Sequence, residues 1–337
     1  MNKNITLKNL AEQLGLATST ISKALNDSPE ISDKTKRRVK ELAAINNYYP
    51  NMFAKGLKLK KSKTIGVIVP HISSNFFTMV IDGMEEKATE LDYKINIYIS
   101  KDSIKKEKQA IETLIKSQVD GILISPSEET QATKDFEHLN WPKKSNIALL
   151  LFDRIIDELS TDKISINDNY ETGLATIDLI NLGRKKIAYL SGIPNTSVNE
   201  NRKNGYLRIL KEYNLTPRII EINNNDYPIH YLIKKIRENQ IDSIIASDEL
   251  TTVLTARNIL TSGFNIPKEI SLIGFTTGKM AENFVPSLSS IDQKAKEQGE
   301  IAVQTIIKRM EGKLTSKPIE CILRANIIHR ESTGFYN

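Results

Sequence analysis

The sequence predicts an α/β protein preceded by a small all-α head, and three observations carry that prediction. From Thr64 onward, apolar runs such as Ile65-Gly66-Val67-Ile68-Val69 alternate with segments of helical periodicity, the order that builds a parallel sheet covered on both faces. Before Tyr48 the apolar residues fall at helical spacing instead. Between the two regions the stretch 48–63 changes character and carries Lys55, Lys58, Lys60, Lys61 and Lys63.

Composition narrows the class. The 337 residues suffice for two or three domains, each with its own core. No apolar run reaches the length of a transmembrane helix, and Met1-Asn2-Lys3-Asn4-Ile5 lacks the apolar core of a signal peptide, so a cytoplasmic protein with no membrane partner is expected. The single Cys321 excludes an intrachain disulfide and has no companion for a zinc site; a core position is expected for it, and neither metal nor cofactor. The net charge of +6 hides an asymmetry, because residues 1–63 hold 13 Lys or Arg against 5 Asp or Glu, a net of +8, which leaves −2 for 64–337. A positive field confined to the head is the footprint of a nucleic-acid module attached to a domain with a different task.

Within the head, Thr6 reads as the cap of a first helix whose Leu7, Leu10, Ala11 and Leu14 share a face, and Gly15 stops it. After the turn Gly15-Leu16-Ala17, the segment Thr18 to Asn26 repeats the pattern, with Ile21 and Leu25 inward and Thr18, Ser19, Ser22 and Lys23 outward. Two short helices joined through a glycine turn suggest a helix-turn-helix. A third helix begins near Ser32 and brings Val39, Leu42, Ala43 and Ile45 toward the first two, with Asn47 able to end it. Pro50 can open a further helix, but Asn51 to Lys58 make barely two turns, a length marginal alone in water. With five lysines beside it, this hinge is expected to order on a polyanion.

The runs Thr6-Leu7-Lys8-Asn9-Leu10-Ala11 and Ser19-Thr20-Ile21-Ser22-Lys23-Ala24-Leu25-Asn26, followed by Tyr48-Tyr49-Pro50-Asn51 and Ala54-x-x-Leu57, resemble the lac repressor family of bacterial transcription regulators. The resemblance continues to the C-terminus. It implies a helix-turn-helix DNA-binding domain over 1–49, a hinge helix and linker over 50–63, and an effector-binding and dimerisation domain over 64–337. The DNA contacts it implies are Thr6, Thr18, Ser19, Thr20, Ser22, Lys23 and Asn26 in the head and Asn51, Ala54, Lys55, Leu57 and Lys58 in the hinge. Among these, Thr18, Ser19 and Lys23 would meet base edges in the major groove, while Leu57 would wedge into the minor groove with Ala54 packed beside it. Two positions depart from the family pattern: Ala17 stands where a capping Ser is common, and Lys23 where Arg is more frequent, which gives up a bidentate grip on guanine.

In the sensor, strands are expected at 65–69, 95–99, 121–124 and 148–152, with a first helix presenting Phe77, Val80, Ile81, Met84, Ala88 and Leu91. A second α/β series starts near Lys163 with Ile164-Ser165-Ile166, continues through a helix carrying Leu174, Ile177 and Ile180, and reaches strands at 187–190, 218–222, 243–247 and 270–274. The resemblance supplies the assembly, a two-lobed sensor with parallel sheets like that of periplasmic binding proteins. Its chain crosses near Ser160, Ser290 and Ile319, so lobe 1 takes about 64–161 and 291–318 and lobe 2 about 162–290 and 319–331. Ligands of such folds sit at strand C-terminal ends, here between the lobes. The effector-binding residues expected there are Ser73, Phe76, Ser125, Asp153, Arg202, Tyr227, Ser247, Asp248, Thr276 and Gln293. Arg202-x-x-Gly205-Tyr206 matches a family motif whose Arg commonly reaches the effector; Thr276 departs from the Asp found there in many sugar-binding members. Simpler roles compete at several positions: Asp248 as a helix cap, Asp153-Arg154 as a loop tie, Tyr206 as core, and Gln293 as a partner for backbone groups.

Enzymatic signatures are absent: there is no G-x-G-x-x-G, G-x-x-x-x-G-K-[ST], G-x-S-x-G or H-E-x-x-H, and His71, His138, His230 and His329 are scattered. A transport-type sugar-binding protein would share the two-lobed fold, yet it would need export. The expectation is therefore a dimeric transcription regulator, a repressor, that binds a pseudo-palindromic double-stranded operator under control of a small effector. That effector is expected to be a carbohydrate held between Phe76 and Tyr227, with a purine as the competing planar ligand.

Overall fold

Three short helices build the head in a computed structural model that describes residues 5–48, 62–222, 228–276 and 278–334. The chain divides into two units, Met1–Ser62 and Lys63–Asn337. In the first, α1 (Leu7–Leu14), α2 (Thr18–Leu25) and α3 (Asp33–Ile45) surround a core of Leu10, Ala11, Ile21, Ala24, Val39 and Ala43. The Thr6 side chain accepts from the Asn9 N–H while the Asn9 side chain accepts from the Thr6 N–H, a reciprocal cap that fixes where α1 starts. Gly15, at φ 62, ends it in the left-handed conformation that glycine adopts without strain. As expected from Ala17, α2 has no side-chain cap. Ile45 departs from the expectation: it is 78% exposed, because the inward stripe of α3 runs through Val39 and Ala43 and leaves the last turn in solvent.

The second unit contains two six-stranded sheets. Its elements in order are β1 (Thr64–Val69), α4 (Asn75–Glu90), β2 (Lys94–Ile99), α5 (Ile104–Lys116), β3 (Gly121–Ile124), α6 (Glu128–Thr133), α7 (Trp141–Lys144), β4 (Ala148–Phe152), β5 (Asp162–Ile166) and α8 (Asp168–Asn181). There follow β6 (Ile187–Ser191), α9 (Ser197–Glu212), β7 (Ile219–Glu221), α10 (Ile229–Arg237), β8 (Ser243–Ala246), α11 (Glu249–Thr261), β9 (Ser271–Gly274), α12 (Lys279–Asn283), β10 (Ser289–Asp292), α13 (Ala295–Met310), β11 (Glu320–Leu323) and β12 (Asn326–Ile328). The first sheet runs β11-β5-β4-β3-β1-β2, every pair parallel, and the second runs β12-β10-β9-β8-β6-β7, parallel except for the antiparallel pair of β10 and β12. Central strands such as β1, with Ile65, Val67, Ile68 and Val69 all buried, read as continuous apolar runs because helices cover both faces.

The lobe boundaries differ from those expected. Residues 162–166 belong to the first sheet, with Leu150 opposite Asp162, and so do 320–323, with Glu320 opposite Lys163. The chain therefore crosses after β5, after β10 and between β11 and β12, each a few residues later than expected. Asp162 holds this arrangement together: its carboxylate accepts from Arg309 Nη2 at 2.6 Å, Arg309 Nε at 2.9 Å and the Ile319 N–H at 2.8 Å, so β5, α13 and the start of β11 meet on one side chain. Cys321, expected in the core, is half-buried on the edge strand β11. The buried residues of α8 are Asp168, Glu171, Thr172, Gly173, Ala175, Thr176 and Leu179, while Leu174, Ile177 and Ile180 are half-buried, because α9 packs close against the helix and favours small residues there.

α4 and α13 pack backbone to backbone. A Cβ on Gly83 would lie 2.1 Å from the Lys296 carbonyl oxygen, and one on Gly299 2.1 Å from that of Val80, so each glycine admits the other helix. Substituting Gly299→Ala is expected to lower stability by about 1–3 kcal/mol through overpacking, read as a fall in the thermal midpoint. An unchanged midpoint would show that the helices separate at no cost.

Candidate functional site

The C-terminal ends of the strands in both sheets bring together most of the sequence-predicted effector residues. Arg202 is the centre of the set. It lies on α9, three residues before Gly205, whose missing side chain lets α9 sit against the Asn169 backbone; a Cβ there would be 2.1 Å from the Asn169 carbonyl oxygen. Tyr206 beside it is fully buried, stacked on Tyr189 at 5.7 Å, and its hydroxyl donates to the Ile187 carbonyl at 2.9 Å, so it is core as the simpler reading has it. This close approach carries Arg202 to the first turn of α8. There Arg202 Nε donates to Asp168 Oδ1 at 2.6 Å, Nη2 to Gln293 Oε1 at 2.7 Å, and Nη1 to the Ser247 carbonyl, while the guanidinium carbon stands 3.4 Å from the centroid of the Phe275 ring. The residue is 2% exposed. Arg202, Ser247 and Gln293 are thus joined, with Asp168 and Phe275 as two members that sequence reasoning missed.

Asp153 follows β4 with φ 61, and its carboxylate accepts weakly from Ser125 Oγ at 3.4 Å. Burial pushes its pKa up to about 6, against the pull of Arg154 and Arg202. Arg154 points elsewhere, donating to Asp102 Oδ1 and, at 3.2 Å, to the Pro126 carbonyl. Asp102 also meets His71 Nε2 at 2.9 Å and the Glu128 N–H at 2.8 Å; burial alone would raise it, but these partners hold it well below the usual carboxylate range. The Asp102 and Arg154 pair ties together the loops after β1, β2, β3 and β4.

Several expected effector contacts have other employment. Asp248 caps α11, with Oδ1 accepting from the Thr251 N–H at 3.0 Å and Oδ2 from Thr251 Oγ1 at 2.6 Å and Ser247 Oγ at 2.8 Å. Ser247 Oγ in turn accepts from the Gly192 N–H at 2.7 Å. Phe76, expected to stack on a ligand, faces inward: it is 8% exposed and packs edge-on to Phe77 at 5.1 Å within the shared core. Ser73 is exposed in the loop before α4, Thr276 is buried at the end of β9, and Tyr227 lies outside the described residues.

Hydrogen bonds also bridge the lobes on both sides of this set. On one side the Asn75 N–H donates to Glu249 Oε2 at 3.0 Å. On the other, Ser197 Oγ accepts from the Ile155 N–H at 3.1 Å and from Gln131 Nε2 at 3.0 Å, Gln131 Oε1 accepts from the Ser197 N–H at 3.1 Å, and Asn195 Nδ2 donates to Glu128 Oε1 at 3.1 Å. None of these bridging residues was singled out from sequence; all lie in the loops or first helical turns that follow a strand end, which is the signal that could have found them.

In the head, Thr18, Ser19, Lys23 and Asn26 are exposed on α2, and Thr20 and Ser22 are half-buried. Asn26 Nδ2 donates to the Ser22 carbonyl at 2.7 Å and closes the helix, while Lys23 pairs with Glu30. Thr6 is occupied as the α1 cap. Asn51, Ala54, Lys55, Leu57 and Lys58 lie outside the described residues. Among the described residues no cluster of His, Cys, Asp and Glu is arranged to hold a metal ion, and no helix is long and apolar enough to cross a membrane.

A helix-turn-helix head joined to a two-sheet binding unit defines a DNA-binding transcription regulator. Residues 6–51 match the family model of bacterial regulatory proteins, lacI family, and residues 177–333 that of a periplasmic binding protein-like domain. The sucrose operon repressor of Lactococcus lactis subsp. lactis is 31% identical over 313 residues, covering 91% of this chain and 94% of the relative. The ribose operon repressor of Haemophilus influenzae is 29% identical over 333 residues, covering 96% and 98%. Among solved structures, the lac repressor dimer bound to operator and the anti-inducer ONPF shares the fold with a TM-score of 0.85 over 98% of this chain and 99% of that one, at 20% identity. The chain belongs to the lacI family of bacterial regulatory proteins.

Two outcomes are expected of the cleft. Arg202→Ala leaves Asp168 buried without its cation, and urea unfolding is expected to show a loss of about 3–5 kcal/mol; a midpoint within error of wild type would show that Asp168 needs no partner. For Asp153, whose folded pKa lies above the unfolded value of 3.8, the protonated form is favoured in the fold, so this group's stabilising contribution is complete below about 4 and is lost as pH rises through about 6. Asp153→Asn, which also suits a positive φ, is expected to raise the thermal midpoint at pH 7.5 and to flatten its dependence between pH 4 and 7. A variant that keeps the wild-type pH profile would assign the titration to another group.

Proposed function

We propose that the chain is a homodimeric repressor whose affinity for a two-fold-symmetric operator is set by a small uncharged hydroxylated ligand, a sugar or sugar derivative, bound between the two sheets. The observation that carries the DNA half is the exposed face of α2, where Thr18, Ser19 and Lys23 stand together within a segment, residues 1–63, of net charge +8. Such a helix reads base edges from its polar face while the surrounding lysines meet phosphate, with Thr6, Thr20, Ser22 and Asn26 positioning it and the hinge residues Asn51, Ala54, Lys55, Leu57 and Lys58 adding minor-groove contacts.

The ligand half rests on the charge of the cleft. Arg202 already has partners at Nε, Nη1 and Nη2, so it adds little attraction for an anion, and the other charged groups nearby among the described residues are Arg154, itself paired with Asp102, and the acids Asp153, Asp168, Asp248 and Glu249. That balance favours a neutral ligand over a sugar phosphate or uronate, reversing the bias an unpaired Arg202 would give. Ser125, Asp153 and Thr276 supply polar groups for hydroxyls, and the relatives named for ribose and sucrose point to the same class.

Apolar residues supply the dimer surface: Ile97 and Ile99, 43% and 37% exposed on the edge strand β2, and Leu250, Met280 and Val285, 63%, 54% and 83% exposed in the second lobe. Ligand binding would shift the population of lobe arrangements, rotate these surfaces and hold or release the paired hinges.

The test uses the full chain and a duplex selected from random sequence. A symmetric footprint bound by a dimer is expected, and Lys23→Ala is expected to cost about 1–3 kcal/mol on that duplex while leaving random DNA nearly unaffected. Equal losses on both would reduce Lys23 to a phosphate contact, and a monomer bound to one half-site would overturn the dimer. Calorimetry with D-ribose, sucrose, ribose 5-phosphate and hypoxanthine is expected to find a neutral sugar that binds; preference for the phosphate or the purine would overturn the ligand class.

A further inference from the structure

Two buried polar atoms stand unpartnered at one corner of the cleft. Thr276, at the end of β9, is 1% exposed and its Oγ1 makes no hydrogen bond. Glu249, the first residue of α11 after the neighbouring strand β8, accepts at Oε2 from the Asn75 N–H across the cleft at 3.0 Å, while its Oε1 is buried without a partner of ordinary geometry. Burial raises the Glu249 carboxyl's pKa, and hydrogen bonding from the Asn75 N–H and the Thr276 hydroxyl opposes that rise, although the approach of Thr276 is too loose to satisfy Oε1 or Oγ1. Buried polar atoms are nearly always paired, so two neighbouring orphans mark the place of a missing group.

We propose that Glu249 couples ligand recognition to lobe closure: Oε2 holds the start of α4 in the first lobe, while Oε1 and Thr276 Oγ1 together take one hydroxyl of the bound ligand. The proposal rests on reading the cleft as the effector site. A hydroxyl can donate to the carboxylate oxygen and accept from the threonine at once, satisfying both orphans. A carboxylate or phosphate dianion placed there has no proton to give Oε1, and an apolar group leaves both atoms unpaired. Because the same carboxylate holds the opposite lobe, a ligand that fixes it also stiffens the closed arrangement.

Two variants of the full chain separate the parts. In ligand-free small-angle scattering, Glu249→Ala is expected to enlarge the radius of gyration by opening the lobes. Glu249→Gln is expected to match wild type, since its amide oxygen still accepts from Asn75. The new amide N–H also gives Thr276 Oγ1 a donor, so the thermal midpoint of Glu249→Gln is expected to rise while D-ribose or sucrose, whichever binds wild type, binds roughly ten- to a hundredfold more weakly. A more stable protein that has lost ligand is a pattern that a purely structural role would not produce. Scattering from Glu249→Ala identical to wild type, a midpoint of Glu249→Gln at or below wild type, or wild-type sugar affinity in Glu249→Gln would each overturn the proposal. Should neither sugar bind wild type, the sugar reading of the cleft fails, while scattering and the midpoint still decide the role of Glu249.

Discussion

The buried guanidinium of Arg202 is the interaction on which the cleft depends. A cation 2% exposed survives in a fold only if its donors are matched, and here Asp168, the Ser247 carbonyl and Gln293 meet them while Phe275 covers one face. The partners come from different parts of the chain. Asp168 opens α8 just after the crossing from β5, Gln293 follows β10 at the return crossing, and Ser247 ends β8. Two of the three passages between the sheets are therefore pinned to one side chain. Asp162 performs the complementary task at the far edge of the first sheet, where Arg309 and the Ile319 N–H converge on its carboxylate.

The head was legible in the sequence because everything that shapes it is local. Thr6, Gly15 and Ser32 mark helix ends within three or four residues, and the inward stripe follows from spacing alone; only the last turn of α3, with Ile45, escaped. The strands were legible for a related reason, since burial on both faces leaves continuous apolar runs. Sheet membership was not. An apolar run such as Ile164-Ser165-Ile166 looks the same in either lobe, and what places it beside β4 is a carboxylate whose partners lie 147 and 157 residues away.

The site divides along the same line. Arg202 and Gln293 were visible because a short motif and a crossover position single them out, but their links to Asp168 and Phe275 required knowing where the chain crosses. Phe76 was misread because an aromatic residue at a strand end can face a ligand or the core, and the packing of Phe77 against it decides for the core. The two rims of the cleft were invisible for a chemical reason. One is closed by amides and hydroxyls from Gln131, Asn195 and Ser197, the other by a single carboxylate, and nothing in residue spacing distinguishes them from solvated surface.

The glycine contact between α4 and α13 has a mechanical consequence. Helices that touch through their backbones have no side-chain layer to shear, so α4 behaves as a stiff lever of 16 residues, about 24 Å long. Its front end, at Asn75, is gripped from the opposite lobe by Glu249. Just past its rear end, Tyr93 lies under the Lys63 ammonium at 4.2 Å, and the Lys94 N–H donates to the Lys63 carbonyl at 2.8 Å, where the chain arrives from the lysine-rich stretch. The contact across the cleft at Asn75 and the chain's arrival at Lys63 thus lie at opposite ends of one helix and the turn that follows it.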